Sequence, residues 1–183
     1  MPDIDILNQM IKDSAKEPLF AYHGRMQVRL AEPQHPLSFV NIYGVPENTI
    51  VIKVDTFSSP DAVFAGSRDE CKRADYVIVS EVGGNEVIIY IEMKATKGSA
   101  QEIIQQLKGA HCFITYCREI GRAFWNEQHF LKGYRHRFVS IGHTSIPKQK
   151  TRITRDSGTH DRADKMLKID SPHHLQFNQL AGA

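Results

Sequence analysis

RADYVIVSEVGGNEVIIYIEMKATKG, residues 73–98, is the stretch on which the fold turns. Two runs rich in Val, Ile and Tyr flank Gly83-Gly84-Asn85, the pattern of two antiparallel strands joined by a tight turn. Strands this apolar belong in a core, yet they carry Asp75, Glu92 and Lys94. Side chains alternate across a strand, so Asp75 shares a face with Val77 and Val79, and Glu92 shares one with Lys94. A two-residue turn at Gly84-Asn85 would pair Gly83 with Glu86. Counted back along the ladder, that register sets Asp75 opposite Lys94, with all three charges on one face. An odd-length turn without a bulge would send Asp75 to the other side.

Opposed residues have Cβ atoms about 5 Å apart and diagonal neighbours roughly 7–8 Å. Asp75 and Glu92 can therefore aim their carboxylates at a common point. Two hard oxygen ligands offer Mg²⁺ or Mn²⁺ part of a coordination shell, to be completed by water and a phosphate oxygen. A cation there would acidify water and neutralise charge on a phosphoryl group. Lys94 could orient the water, withdraw a proton or stabilise developing negative charge. An isolated Asp and Glu-x-Lys recur by chance at solvated strand ends, so the surrounding elements decide the reading.

Before the hairpin, residues 3–15 place Ile4, Leu7 and Ile11 at helical spacing behind acids suited to a helix N-terminus. The next segment, through Pro18, Pro33, Pro36 and Pro46, reads as irregular, with one short strand over 37–45. Residues 49–57 are β-branched and alternating, and predict a strand. After Gly98, Ile103, Leu107, Ala110, Ile114 and Cys117 make one helical stripe, with Ser99 at its start and Gly121 after its last turn. Residues 136–142 predict a further strand, 148–165 a polar loop, and the tail a short helix or packing segment.

This order, around an Asp at a strand head, E-x-K on the next strand and Q-L in the following helix, resembles the PD-(D/E)XK nuclease superfamily. The matching runs are KRADYVIV, IEMKATKG and EIIQQLKGA, within residues 72–110. Ala74 stands at the motif's Pro. The resemblance implies an α/β, restriction-endonuclease-like core, a mixed central β-sheet flanked by helices in the order helix, three strands, helix, strand. It implies Asp75 and Glu92 as metal-binding acids, Lys94 as catalytic lysine, and Gln106, or its neighbour Gln105, as the helix glutamine. A further acid often comes from the first helix in such enzymes; Glu17, Asp55 and Glu70 are candidates.

At 183 residues the chain suits one domain spanning 1–183. Its 41% hydrophobic and 24% charged content is ordinary for a globular protein, and no apolar run approaches the length of a membrane span. The N-terminus lacks the basic-then-apolar form of a signal peptide, and three cysteines form no framework, so the expected compartment is the cytoplasm. Cys112 and Cys117 are expected to face the core. The histidines lack zinc-ligand spacing with the cysteines.

The net charge of +2 is unevenly spread. From Lys132 to Arg155 lie seven basic residues and no acid. Lys148, Lys150, Arg152 and Arg155 are candidates to track a phosphate backbone, with Tyr134, Phe138 and loop histidines against bases or sugars. The expected function is metal-dependent cleavage of DNA, with a homodimer as a possible assembly for cutting two strands. The alternative is a non-catalytic nucleic-acid-binding or assembly subunit on the same fold.

Overall fold

The structure, a computed structural model, describes residues 1–32, 35–96, 98–142, 144, 151–154, 158–170, 172 and 174–182. The chain opens with α1 (Asp3–Met10), then β1 (Phe20–Tyr22), β2 (Arg25–Glu32), β3 (His35–Val45) and β4 (Thr49–Lys53). The hairpin strands are β5 (Tyr76–Val82) and β6 (Asn85–Lys94), followed by α2 (Ala100–Phe124) and β7 (Arg135–Gly142). β8 (Arg152–Thr154), β9 (Leu167–Asp170), β10 (His174–Gln176) and α3 (Phe177–Ala181) complete the order.

Two sheets result. One has six strands in the order β4-β5-β6-β7-β9-β8, the other four in the order β1-β2-β3-β10. In the larger sheet β4, β5 and β6 run antiparallel, while β6, β7 and β9 run parallel, with α2 as the crossover between β6 and β7. The architecture is therefore mixed α/β.

β6 shows why its sequence is an unbroken apolar run. Ile88 and Tyr90 point toward a core shared with α1 and α2, including Leu7, Leu107, Ala110 and Ile114. Val87, Ile89, Ile91 and Met93 point the other way, toward Val28, Leu30, Val40 and Ile42 of the four-stranded sheet. A strand covered on both faces needs apolar side chains at every position. The layers are thus helices, six-stranded sheet, four-stranded sheet.

Several expectations change. The segment read as irregular holds the hairpin β1–β2, closed by His23 and Gly24 at positive φ (46° and 73°), and pairs on through β3. The strand expected over 49–57 stops at Lys53 and turns into a short 3₁₀ segment, Val54–Thr56. α2 does not end at Gly121 but runs through it, and the glycine answers to packing instead: a Cβ there would sit 2.1 Å from Cδ1 of the Phe130 ring. Ser99 occupies the N-cap of α2 without a side-chain hydrogen bond. Part of the expected polar loop forms β8, and β9 follows it unforeseen. Cys117 is buried as expected, but Cys112 is exposed. Among the described residues no helix is long and apolar enough to cross a membrane.

Candidate functional site

The hairpin turn is Gly83-Gly84, not Gly84-Asn85: both glycines have positive φ (49° and 85°), and Val82 pairs with Asn85. Such a turn requires left-handed backbone at both central residues. The ladder continues to Tyr76↔Ile91, so the next step sets Asp75 opposite Glu92 rather than opposite Lys94. The two registers differ by two residues, which preserves parity. Asp75, Glu92 and Lys94 thus remain on the helix-facing side with Val77, Val79, Ile88 and Tyr90.

Each charge is held by a definite contact. The Met93 backbone N–H donates to Asp75 Oδ2 at 2.7 Å. Lys94 Nζ lies 2.9 Å from Glu92 Oε1. Glu92 is only 1% exposed, and its second oxygen, Oε2, is buried with no hydrogen-bond partner. An orphaned buried carboxylate oxygen is costly, because nothing replaces the water it gave up.

The electrostatics follow from that burial. Desolvation, reinforced by the neighbouring Asp75, pushes the Glu92 pKa up to about 8. Desolvation also lifts Asp75 to about 6, with the charges of Asp55 and Glu32 adding to the effect and the Met93 N–H and Lys94 opposing it. Burial pulls Lys94 down, but the hydrogen bond and charge of Glu92 outweigh it and hold the ammonium above its usual range. Lys94 is accordingly a cation at neutral pH and not a proton acceptor. It lines a cleft of about 300 Å³ with Thr96, Gly98, Ser140 and Lys168.

Gln106 lies on α2, with its side-chain oxygen buried and unpartnered. α2 comes close to the segment leading to Asp75 at Gly109, where a Cβ would fall 1.7 Å from the Lys72 carbonyl oxygen. Among the candidate further acids, Asp55 acts on Asp75 through charge, as does Glu32, which was not a candidate. Glu17 pairs with Lys53 at 3.6 Å. Glu70 is exposed and accepts the Gly66 and Arg68 N–H groups at 3.0 and 2.8 Å, which commits it to its own loop.

Sequence reasoning missed Glu32. It sits at the end of β2, accepts a hydrogen bond from Ser38 at 3.1 Å, and belongs to a hydroxyl chain running from Ser38 to Thr144 and on to the Lys94 carbonyl. Its sequence signal was hidden because β2 itself was not recognised.

The basic segment divides. Arg152 is exposed on β8. Lys148, Lys150 and Arg155 lie outside the described residues. Arg137 is buried and donates to the Ala181 carbonyl at 3.0 Å, anchoring α3 rather than facing a phosphate. Tyr134 is buried with its hydroxyl donating to Glu81 at 2.5 Å, and Phe138 is buried and stacked on Tyr90. Neither ring is free to meet a base. His136 bonds and stacks with Tyr90, and His160 is buried against the Leu180 carbonyl.

No family model, curated protein or solved structure matches the chain.

Proposed function

We propose that the chain is a divalent-cation-dependent phosphodiesterase acting on DNA, built on a restriction-endonuclease-like core. The observation that carries this reading is the carboxylate pair: Asp75 and Glu92 opposed on one sheet face, Glu92 buried with an unsatisfied oxygen, and Lys94 against it. Two acids raised this far by burial lack positive charge, and one ammonium does not supply enough to hold both ionised. Within the larger sheet, the order three antiparallel strands, crossover helix, parallel strand supports the core assignment, with β1–β3 of the smaller sheet inserted between α1 and β4.

The donor set suits Mg²⁺ or Mn²⁺, since both ligating groups are carboxylates. Among the described residues no three His, Cys, Asp or Glu side chains gather as a complete site, so Asp75 and Glu92 would hold the ion with water and substrate completing its shell. When bound, the ion supplies Lewis acidity toward a phosphoryl oxygen. The chain's own residues do the rest. The Met93 N–H fixes the Asp75 carboxylate in orientation. Lys94 presents a fixed positive charge at the cleft, where negative charge grows during phosphoryl transfer. The apolar surroundings of Glu92 strengthen its pairing with Lys94.

The test incubates the protein with plasmid, linear duplex, single-stranded DNA and RNA, with and without Mg²⁺. Cleavage of DNA that needs the cation, and that falls at least roughly 100-fold in Asp75→Ala and in Glu92→Ala, is the expected result. A variant that cleaves as well as the parent refutes the assignment. Nucleic-acid binding with neither cleavage nor heat of Mn²⁺ binding in calorimetry selects the non-catalytic subunit instead.

A further inference from the structure

The four-stranded sheet is covered on one face only. Val28, Leu30, Val40 and Ile42 point into the sandwich, which turns Gln27, Arg29, Asn41 and Tyr43 outward. Among the described residues no layer lies over that outer face.

What it displays is unusual for a solvated sheet. Tyr22 of β1 packs against Tyr43 of β3 with ring centroids 5.6 Å apart, and Tyr43 packs against His174 of β10 at 5.4 Å. A band of rings therefore crosses the whole sheet. Phe20 and Tyr22 remain 50% and 48% exposed. Beside the rings, the Arg29 guanidinium lies 3.8 Å over the Phe39 ring, and Arg25 projects next to Tyr22. Neither arginine has a carboxylate partner among the described residues, and no described outward position of β1, β2, β3 or β10 is acidic.

The chemistry selects the occupant. A lipid surface or an obligate, core-like protein interface would call for a broad aliphatic patch, and Ala31 is the sole aliphatic residue at these described positions. Exposed rings take the flat face of a base, free guanidinium groups take phosphate, and the amides of Gln27 and Asn41 can meet base edges. A duplex hides its base faces, so the partner must be unpaired.

We propose that this face binds a single DNA strand, its bases lying on the Tyr22–Tyr43–His174 band and its phosphates against Arg25 and Arg29. The choice of DNA rests on the nuclease reading; the stacking surface stands without it. The two regions also connect: the β2–β3 hairpin that builds the face ends at Glu32 and Ser38, which reach the Lys94 carbonyl through Thr144.

Fluorescence anisotropy with a labelled 15-nucleotide oligo-dT, in EDTA at low salt, tests the proposal on the full chain. The parent should bind it more tightly than a duplex of equal length. Tyr43→Ala should weaken binding roughly 5- to 150-fold, the range for one stacked base, while Tyr43→Phe keeps it. Arg29→Gln should lower the salt slope by about 0.7, as for one phosphate contact to a single strand. If Tyr43→Ala fails to give the parent's thermal transition, Tyr22→Ala on the edge strand replaces it. No binding, equal binding to duplex, or a ring variant that binds like the parent overturns the proposal, and tighter binding to oligo-U overturns DNA as the strand. Because EDTA removes the cation, binding here with no cleavage in Mg²⁺ sinks the nuclease reading alone, and cleavage without this binding sinks only the present one.

Discussion

The six-stranded sheet is covered on both faces and the four-stranded sheet on one, and the same residue type means different things in each. In β6 every position from Val87 to Met93 is buried, so Glu92 is a charge forced into a core. In β2 the alternation leaves Arg25 and Arg29 solvated beside rings, where a charge needs no special explanation for its existence but is free to meet a ligand. Burial gives the first polar residue a shifted pKa; exposure leaves the second in solvent.

Truncation breaks this comparison most sharply. Ile89→Ala, at a position fully buried between the two sheets, should cost about 2–5 kcal/mol in denaturant unfolding. Asn41→Ala, on the open side of β3, should stay within about 0.5 kcal/mol. Equal costs would mean that the outer face is covered.

A smaller effect comes from pH. Both acids have folded-state pKa values raised above their ordinary 3.8 and 4.5, so their burial is tolerated while protonated and penalised as they ionise. Without a divalent cation, stability should be highest near pH 4 and fall on the order of a few kcal/mol as pH rises to about 8. Glu92→Gln should flatten the part of that decline between about pH 6 and 8, and Mg²⁺ should restore the parent's melting temperature there. A melting temperature that climbs through this window in EDTA contradicts the buried-pair geometry.

The smallest effect belongs to the rim of the larger sheet. Arg152→Gln on exposed β8 should reduce the salt slope of nucleic-acid binding by about 1 and leave the fold unchanged. An unchanged slope removes β8 from the interface.

Much of this was legible in the sequence, and for a physical reason. β5 and β6 carry two tests at once, a glycine turn and apolar runs, and the parity of a two-stranded ladder survives an error of two residues in the turn. That is why Asp75 and Glu92 share a face even though their pairing differs from the expected one. α2 was readable from its stripe, but its end was not: Gly121 looks like a terminator locally and is retained for the Phe130 ring, a contact no local rule contains. The four-stranded sheet was largely missed because its prolines suggest loop. Pro18 precedes β1, Pro46 follows β3 and Pro36 is the second residue of β3, so all three sit at strand ends. Tyr134 and Phe138 were misread for the converse reason: aromatic residues in a basic run look like a binding surface until the strand's inward face is known.

The hydroxyl bridge from Ser38 through Thr144 to the Lys94 carbonyl has a mechanical consequence. At that corner the outer layer cannot slide over the inner one without stretching a thread of hydroxyl groups whose last knot is the main chain of the lysine. Shear between the layers at that corner is therefore passed to the Lys94 main chain.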